Sequence, residues 1–80
     1  MNFNEMVRSK GITQKKLAEA MGLTRAAVSV WATGEVFPLP ASIENIIKGF
    51  AALEITVTYD EVFQSLLCTK REKKREGELT

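Results

Sequence analysis

The side chains with the clearest recognition chemistry lie between residues 25 and 33. Arg25 carries a planar guanidinium that can donate two parallel hydrogen bonds, and the hydroxyl of Ser29 can both donate and accept. Ala26 and Val30, four residues apart, add small apolar side chains. A helix turns by about 100° per residue, so with Val28 and Trp31 turned inward, Ala26, Ser29, Val30 and Thr33 point outward and Arg25 lies on the flank. This stretch therefore predicts a surface that recognises both polar edges and methyl groups.

Catalytic and metal-binding chemistry is poorly represented. The chain has no histidine, which removes the commonest general base and metal ligand near neutral pH. Cys68 is the single cysteine, so neither an intrachain disulfide nor a thiolate zinc site can form. The sequence also lacks a nucleophile–base pair and a phosphate-binding glycine loop. We therefore expect no enzyme activity, no metal, no cofactor and no small-molecule ligand.

Length and composition indicate one small soluble domain. The 80 residues are 45% hydrophobic and 26% charged, close to the globular average. No apolar run approaches the roughly 18 residues of a membrane-spanning helix, and the start of the chain does not resemble a signal peptide. We expect a cytoplasmic protein without a membrane contact.

Charge is segregated along the chain although the net charge is only +1. Residues 1–31 contain five Lys or Arg against two Glu, whereas residues 32–67 contain one Lys against five acids. The last segment, 68–80, contains five Lys or Arg against three Glu. Such a division can present a positive face to a polyanion while the opposite face stays acidic.

Capping residues and glycines divide the chain into short helices. Asn2, Thr13 and Thr24 can each cap a helix start, and a glycine follows each of these predicted helices. We expect the first three helices at residues 2–9, 14–21 and 25–33. A fourth begins near Ala41 or Ser42, after a connection with two prolines, and its Gly49 should weaken it by about 1 kcal/mol.

The segment 55–59 alternates like a short strand, yet Thr58 and Glu61 have the spacing of a capping box. We favour a loop followed by a fifth helix, with a short strand as the alternative. From residue 68 the sequence is charged and low in apolar residues. We therefore place a domain at residues 1–67 and a flexible charged tail at residues 68–80.

The stretch from Thr13 to Gly34 resembles the phage repressor and Cro-like helix-turn-helix family. The residues that match the family pattern are Thr13, Gln14, Leu17, Ala18, Gly22, Thr24, Val28, Ser29, Trp31 and Gly34. The resemblance implies an all-α bundle of about five short helices that contains a helix-turn-helix. Within it, Leu23 can fill the corner between the second and third helices. The chain departs from the family at Val30, where a polar or basic residue is usual, and at Ala32, which is often Glu.

The resemblance implies sequence-specific binding to double-stranded DNA, with the third helix in the major groove. Arg25 can donate to O6 and N7 of guanine, Ser29 can pair with several base edges, and Ala26 and Val30 can contact thymine methyl groups. A second set of residues suits phosphate contacts, which give affinity without sequence information. These are Gln14, Lys15, Lys16, Thr24, Thr33 and Lys10.

One recognition helix contacts few base pairs, so we expect a homodimer on an inverted-repeat operator. The fifth helix offers an apolar stripe as the interface: Val62, Phe63, Leu66 and Leu67. We expect a transcriptional regulator that represses by occluding a promoter, although an activator would have the same sequence features. Two alternatives stay open, an antitoxin-type regulator that also binds a partner protein and a protein-interaction module that has lost DNA binding.

Overall fold

In the computed structural model the chain folds into a bundle of helices, and the structure describes the backbone of residues 1–79 and the side chains of residues 1–72. The described backbone contains five helices and no strand, which confirms the predicted all-α fold. The helices are α1 (Phe3–Ser9), α2 (Gln14–Met21), α3 (Arg25–Ala32), α4 (Pro40–Ala52) and α5 (Tyr59–Leu79).

Short polar side chains define four of the five helix starts. Asn2, Thr13, Thr24 and Thr58 each accept a hydrogen bond from the backbone N–H three residues ahead, at 2.8 to 3.3 Å. These bonds satisfy N–H groups that have no partner inside the helix. The start of α4 differs, because Leu39 gives no side-chain cap and Pro40 occupies the first turn. Proline suits this position, since it has no N–H and its φ is already helical.

The hydrophobic core lies between α4 and the helices around it. Helix α4 contributes Ile43, Ile46 and Phe50, each at most 1% exposed. Helix α2 packs against α3 and α4, while α5 packs against α1, α3 and α4. The remaining fully buried core side chains come from the other helices: Phe3, Met6, Val7, Leu17, Ala18, Val28, Val62 and Leu66.

Gly49 marks the closest approach of α4 to α2. A Cβ atom added there would lie 2.5 Å from Cγ of Met21 and 3.2 Å from Cδ1 of Leu17. The residue is therefore small because α2 occupies the space of a side chain. The sequence showed the cost of this glycine to the helix, and the structure shows the packing that requires it.

The segment between α4 and α5 is a loop at residues 55–58, so the alternative of a strand over 55–59 is wrong. The alternation of apolar residues has another cause. Val57 is buried at 6% exposure and Ile55 packs against the core, which anchors the loop from inside. Thr58 then caps α5, as its spacing to Glu61 predicted.

The expectation of a flexible tail from residue 68 does not hold for residues 68–72, which continue α5 and pack against α1. Thr69 is 4% exposed, and its hydroxyl accepts from the N–H of Phe3 at 2.9 Å and donates to the carbonyl of Ser65 at 3.1 Å. The carboxylate of Glu72 accepts from the side-chain amide of Asn2 at 3.0 Å. The predicted flexibility of residues 73–80 lies outside the described side chains.

Two of the four side chains predicted for a dimer interface belong to the core. Val62 is fully buried and Leu66 is 2% exposed, because α5 closes the bundle against α1 and α4. Phe63 and Leu67 are half-buried. Phe63 packs edge-to-face on Phe37 with the ring centroids 5.7 Å apart. The apolar stripe of α5 is thus largely used within one molecule.

Candidate nucleic-acid interface

The turn between α2 and α3 is held by backbone hydrogen bonds around Gly22. Gly22 is left-handed at φ 71°, and the N–H of Leu23 donates to the carbonyl of Ala18 at 2.8 Å. This arrangement caps α2 and redirects the chain into α3. Leu23 itself is 42% exposed, so the expectation that it fills the corner between the helices is wrong.

Helix α3 has one buried side and one open side. Val28 is fully buried, and the half-buried Trp31 packs against the core, which fixes the rotation of the helix. Arg25 and Ala26 are exposed in the first turn. The side chains one turn further, Ser29 and Val30, are half-buried. The open side is therefore most accessible at its N-terminal end, and the outward placement of Ser29 and Val30 is only partial.

The backbone carbonyl of Val30 accepts two hydrogen bonds at the C-terminal end of α3. The carbonyl of Val30 accepts from the hydroxyl of Thr33 at 3.3 Å and from the N–H of Val36 at 3.2 Å. Thr33 is exposed and forms the C-cap of α3. These two bonds satisfy the carbonyl of Val30 at the end of α3.

A cleft of about 440 Å³ lies where the starts of α2 and α3 meet α1. Three of the side chains that line it carry positive charge, and none carries negative charge. Gln14 stands at the start of α2, and its Nε2 donates to Oδ1 of Asn4 at 2.8 Å. The lining residues are Asn4, Arg8, Thr13, Gln14, Lys15 and Arg25. Since the positive end of the α2 dipole adds to these charges, the cleft suits an anion.

Some of the residues predicted to contact DNA line the cleft, and others lie outside it. Gln14, Lys15 and Arg25 line it, as expected for residues at the start of two adjacent helices. Lys16 is exposed on α2 outside the lining, and Thr24 is exposed while its hydroxyl caps α3.

Lys10 has a different partner from the one expected. Its Nζ lies 2.6 Å from Oε1 of Glu61, so this ammonium pairs with a carboxylate at the start of α5. Lys10 is the C-cap of α1, so this ion pair joins α1 to α5. A DNA phosphate would compete with Glu61 for this ammonium, and the phosphate contact of Lys10 stays a prediction.

Asn4 and Arg8 are lining residues that the sequence analysis missed. Both belong to α1, which lies outside the helix-turn-helix pattern. A signal was available, because the two polar residues stand four apart and so share one face of the helix, away from buried Phe3, Met6 and Val7. That spacing marks a polar face, but it does not indicate what the face adjoins.

Neither a metal-binding cluster nor a membrane-spanning helix is found among the residues that the structure describes. Among the residues described, no three His, Cys, Asp or Glu side chains lie close enough to hold a metal ion. No helix within residues 1–79 is long and apolar enough to cross a membrane.

Comparison with known proteins identifies the family. The family model described as "Helix-turn-helix" matches residues 5–59. The chain is similar to the HTH-type transcriptional activator BcrR of Enterococcus faecalis, with 36% identity over 66 residues. This match covers 78% of the present chain but only 30% of the relative. No solved structure matches the chain significantly. With the match extending from α1 to the start of α5, the chain belongs to the Cro/C1-type helix-turn-helix family, the domain family of DNA-binding transcriptional regulators.

Proposed function

We propose that this chain is a sequence-specific DNA-binding domain of a transcriptional regulator and that α3 enters the major groove. The observation that carries the proposal is the position of Arg25. This residue lines the positively charged cleft and also begins the open side of α3. A duplex docked here would meet phosphate-binding charge and a recognition helix together, as docking in the groove requires.

Phosphate contacts come from the start of α2 and from the ends of α3. Gln14 and Lys15 lie in the cleft, and Lys16, Thr24 and Thr33 have exposed polar groups beside it or along α3. Bonds to phosphate orient the protein on the duplex and depend on salt, because each neutralised phosphate releases counterions. Lys10 is left out of this set, since its ammonium is paired with Glu61.

Base contacts come from the open side of α3. Arg25, the longest of these side chains, donates to O6 and N7 of a guanine, and the hydroxyl of Ser29 bonds a base edge one turn further. Ala26 and the exposed part of Val30 form an apolar strip on the same helix. Within a major groove the matching apolar group is the C5-methyl of thymine.

We further propose that two copies bind an inverted repeat, with half-sites about 34 Å apart along the duplex, one helical turn. Burial of Val62 and Leu66 removes them from the interface that the sequence predicted. The accessible apolar groups of α5 are the half-buried Phe63 and Leu67, next to Tyr59, which is 40% exposed and stacks on Phe63.

For the sign of regulation we propose repression, because a domain that covers promoter DNA excludes polymerase without any further contact. The relative from Enterococcus faecalis is named an activator, and this chain covers only 30% of it. A reporter with the selected operator overlapping the promoter separates the two signs. Lower expression with the protein present supports repression, and higher expression contradicts it.

The DNA proposal is tested by comparing two cationic residues on a site selected from random duplexes. Arg25→Ala should weaken binding to the selected site by about 1–3 kcal/mol and relax the preference at one base pair. Lys15→Ala should weaken binding to every duplex about equally and reduce the slope of log affinity against log salt by about 1. Fluorescence anisotropy over a salt series measures both effects.

Three results would contradict parts of the proposal. Wild-type protein without salt-dependent affinity for any duplex would exclude DNA binding itself. An equal loss on all sequences for Arg25→Ala would make Arg25 a phosphate ligand. An unchanged salt slope for Lys15→Ala would remove Lys15 from the phosphate contacts.

A further inference from the structure

We propose that α1 is a third DNA-contacting element, in which Arg8 binds a backbone phosphate and Asn4 positions the carboxamide of Gln14. The inference rests on the proposed function, because it concerns the same DNA and the same cleft. Helix α1 precedes the helix-turn-helix. A duplex bound by the two helices of that motif would not have to contact α1.

The position of Arg8 is the first observation. Arg8 is exposed, and it lines the cleft together with Lys15 of α2 and Arg25 of α3. Among the described side chains, the ion pair present joins Lys10 to Glu61 and involves none of these three. Three separate helices thus each bring one positive charge to a single concave surface.

The electrostatics of the cleft favours a bound anion. Like charges that converge without a carboxylate in the lining repel one another, which is unfavourable in the free protein. A phosphate in the cleft would replace that repulsion by charge-assisted hydrogen bonds, and a guanidinium fits two phosphate oxygens at once. The cleft is therefore better suited to an occupied state with an anion than to an empty one.

Asn4 acts through Gln14. The part-buried bond from Nε2 of Gln14 to Oδ1 of Asn4 is 2.8 Å long and crosses from α2 to α1. It uses one of the two N–H groups of the Gln14 amide, which fixes the plane of that amide and leaves the second N–H for a phosphate oxygen. Asn4 is in this view a positioning residue whose effect on DNA depends on Gln14.

Arg8→Gln tests the phosphate contact, and Arg71→Gln is the matched control. Arg71 is also exposed, but it lines a different groove that contains Asp60 and Glu61. Arg8→Gln should reduce the salt slope by about 0.9 on the selected site and on random duplex alike. Between 50 and 200 mM salt the wild type should then lose about 3.5-fold more affinity than the variant. Arg71→Gln should keep the wild-type slope.

A double-mutant cycle tests the positioning role of Asn4. Asn4→Ala should lower DNA affinity when Gln14 is present and have little effect in a Gln14→Ala background, since one interaction then accounts for both losses. The salt slope should stay unchanged, because Asn4 carries no charge. A residue that only supports the fold would instead lower the thermal midpoint and act equally in both backgrounds.

The outcomes separate this inference from the proposed function. If wild type and Lys15→Ala behave as expected while Arg8→Gln keeps the wild-type slope, α1 does not contact phosphate and only this inference falls. Additive effects of Asn4→Ala and Gln14→Ala would exclude the positioning role. Wild-type protein that shows no salt-dependent DNA binding would overturn both proposals.

Discussion

Within the recognition unit, α2 and α3, helix α3 buries fewer side chains completely than any helix of the scaffold, α1, α4 and α5. Helix α3 buries only Val28 completely, and both of its first two residues are exposed. Helix α4 buries Ile43, Ile46 and Phe50. A buried hydrogen bond from the N–H of Phe3 to the hydroxyl of Thr69 joins α1 to α5. The open side of α3 therefore contributes little to the core, whereas the buried sides of the other helices form most of it. Substitutions on the open side of α3 should change DNA binding and leave the free energy of unfolding nearly unchanged.

The largest expected effect lies in the scaffold at Phe50. The side chain is fully buried in the middle of the core, and truncation leaves a cavity as well as lost apolar contacts. Phe50→Ala should lower the free energy of unfolding by about 3–5 kcal/mol, which approaches the whole stability of a domain this small. Urea denaturation measures this loss. Arg25→Ala is the control from the recognition unit and should change the same quantity by less than about 0.5 kcal/mol. Equal losses would break the division between the two regions.

The next largest effect concerns the bond between the two ends of the scaffold. Thr69→Val keeps the shape of the side chain but leaves the N–H of Phe3 without its buried acceptor, a loss of about 1–3 kcal/mol. Amide exchange at Phe3 should become faster in this variant. Thr69→Ser keeps the hydroxyl, so its Phe3 amide should exchange as slowly as in the wild type. Slow exchange in Thr69→Val would show that the hydroxyl does not hold α1.

Features set by neighbouring residues were predictable from the sequence. The caps at Asn2, Thr13, Thr24 and Thr58 act over three residues, so helix starts follow directly from residue type. The apolar period also placed Val28 inward and Ala26 outward, because the rotation of a short helix is fixed by its buried side.

Features that join distant segments were not predictable. Thr69 was assigned to the charged tail because its neighbours in sequence are charged. Its hydroxyl accepts a hydrogen bond from Phe3, 66 residues away in α1. Likewise, nothing in the sequence indicates that Lys10 at the end of α1 would pair with Glu61 of α5. The apolar side chain of Val62 is equally compatible with the core of its own molecule and with an interface to a second copy. Periodicity shows that a side is apolar or charged, and only the packing of helices shows what that side contacts.

Gly49 gives a prediction whose sign depends on packing. Helix propensity alone would make Gly49→Ala stabilising by about 1 kcal/mol. The added methyl would meet Cγ of Met21 at 2.5 Å, and overpacking of this kind costs about 1–3 kcal/mol. We expect a net loss of about 1 kcal/mol in urea denaturation. In a Met21→Ala background the contact with Cγ is gone and only Cδ1 of Leu17, at 3.2 Å, lies close to the added methyl, so the loss on Gly49→Ala should shrink or turn into a gain. A gain in stability in the wild-type background would show that the Met21 side chain moves away from the added methyl at no net cost.

The smallest expected effect lies on the open side of α3, where Ala26 and Val30 stand four residues apart. Ala26 is exposed and Val30 half-buried, so the pair offers a narrow apolar strip rather than a broad patch. The only apolar group on the edge of a base pair in the major groove is the C5-methyl of thymine. Replacing a contacted thymine by deoxyuridine deletes that methyl and keeps every hydrogen bond of the base pair. Burial of one methyl is worth about 0.8 kcal/mol, so affinity should fall by about threefold to fivefold at that position. Ala26→Gly with Val30→Ala should largely abolish the difference, and the urea midpoint of this variant reports how far the glycine has loosened the helix. If deoxyuridine placed at each thymine of the selected operator leaves affinity unchanged, the strip does not contact bases, and sequence preference in the recognition unit must come from Arg25 and Ser29 alone.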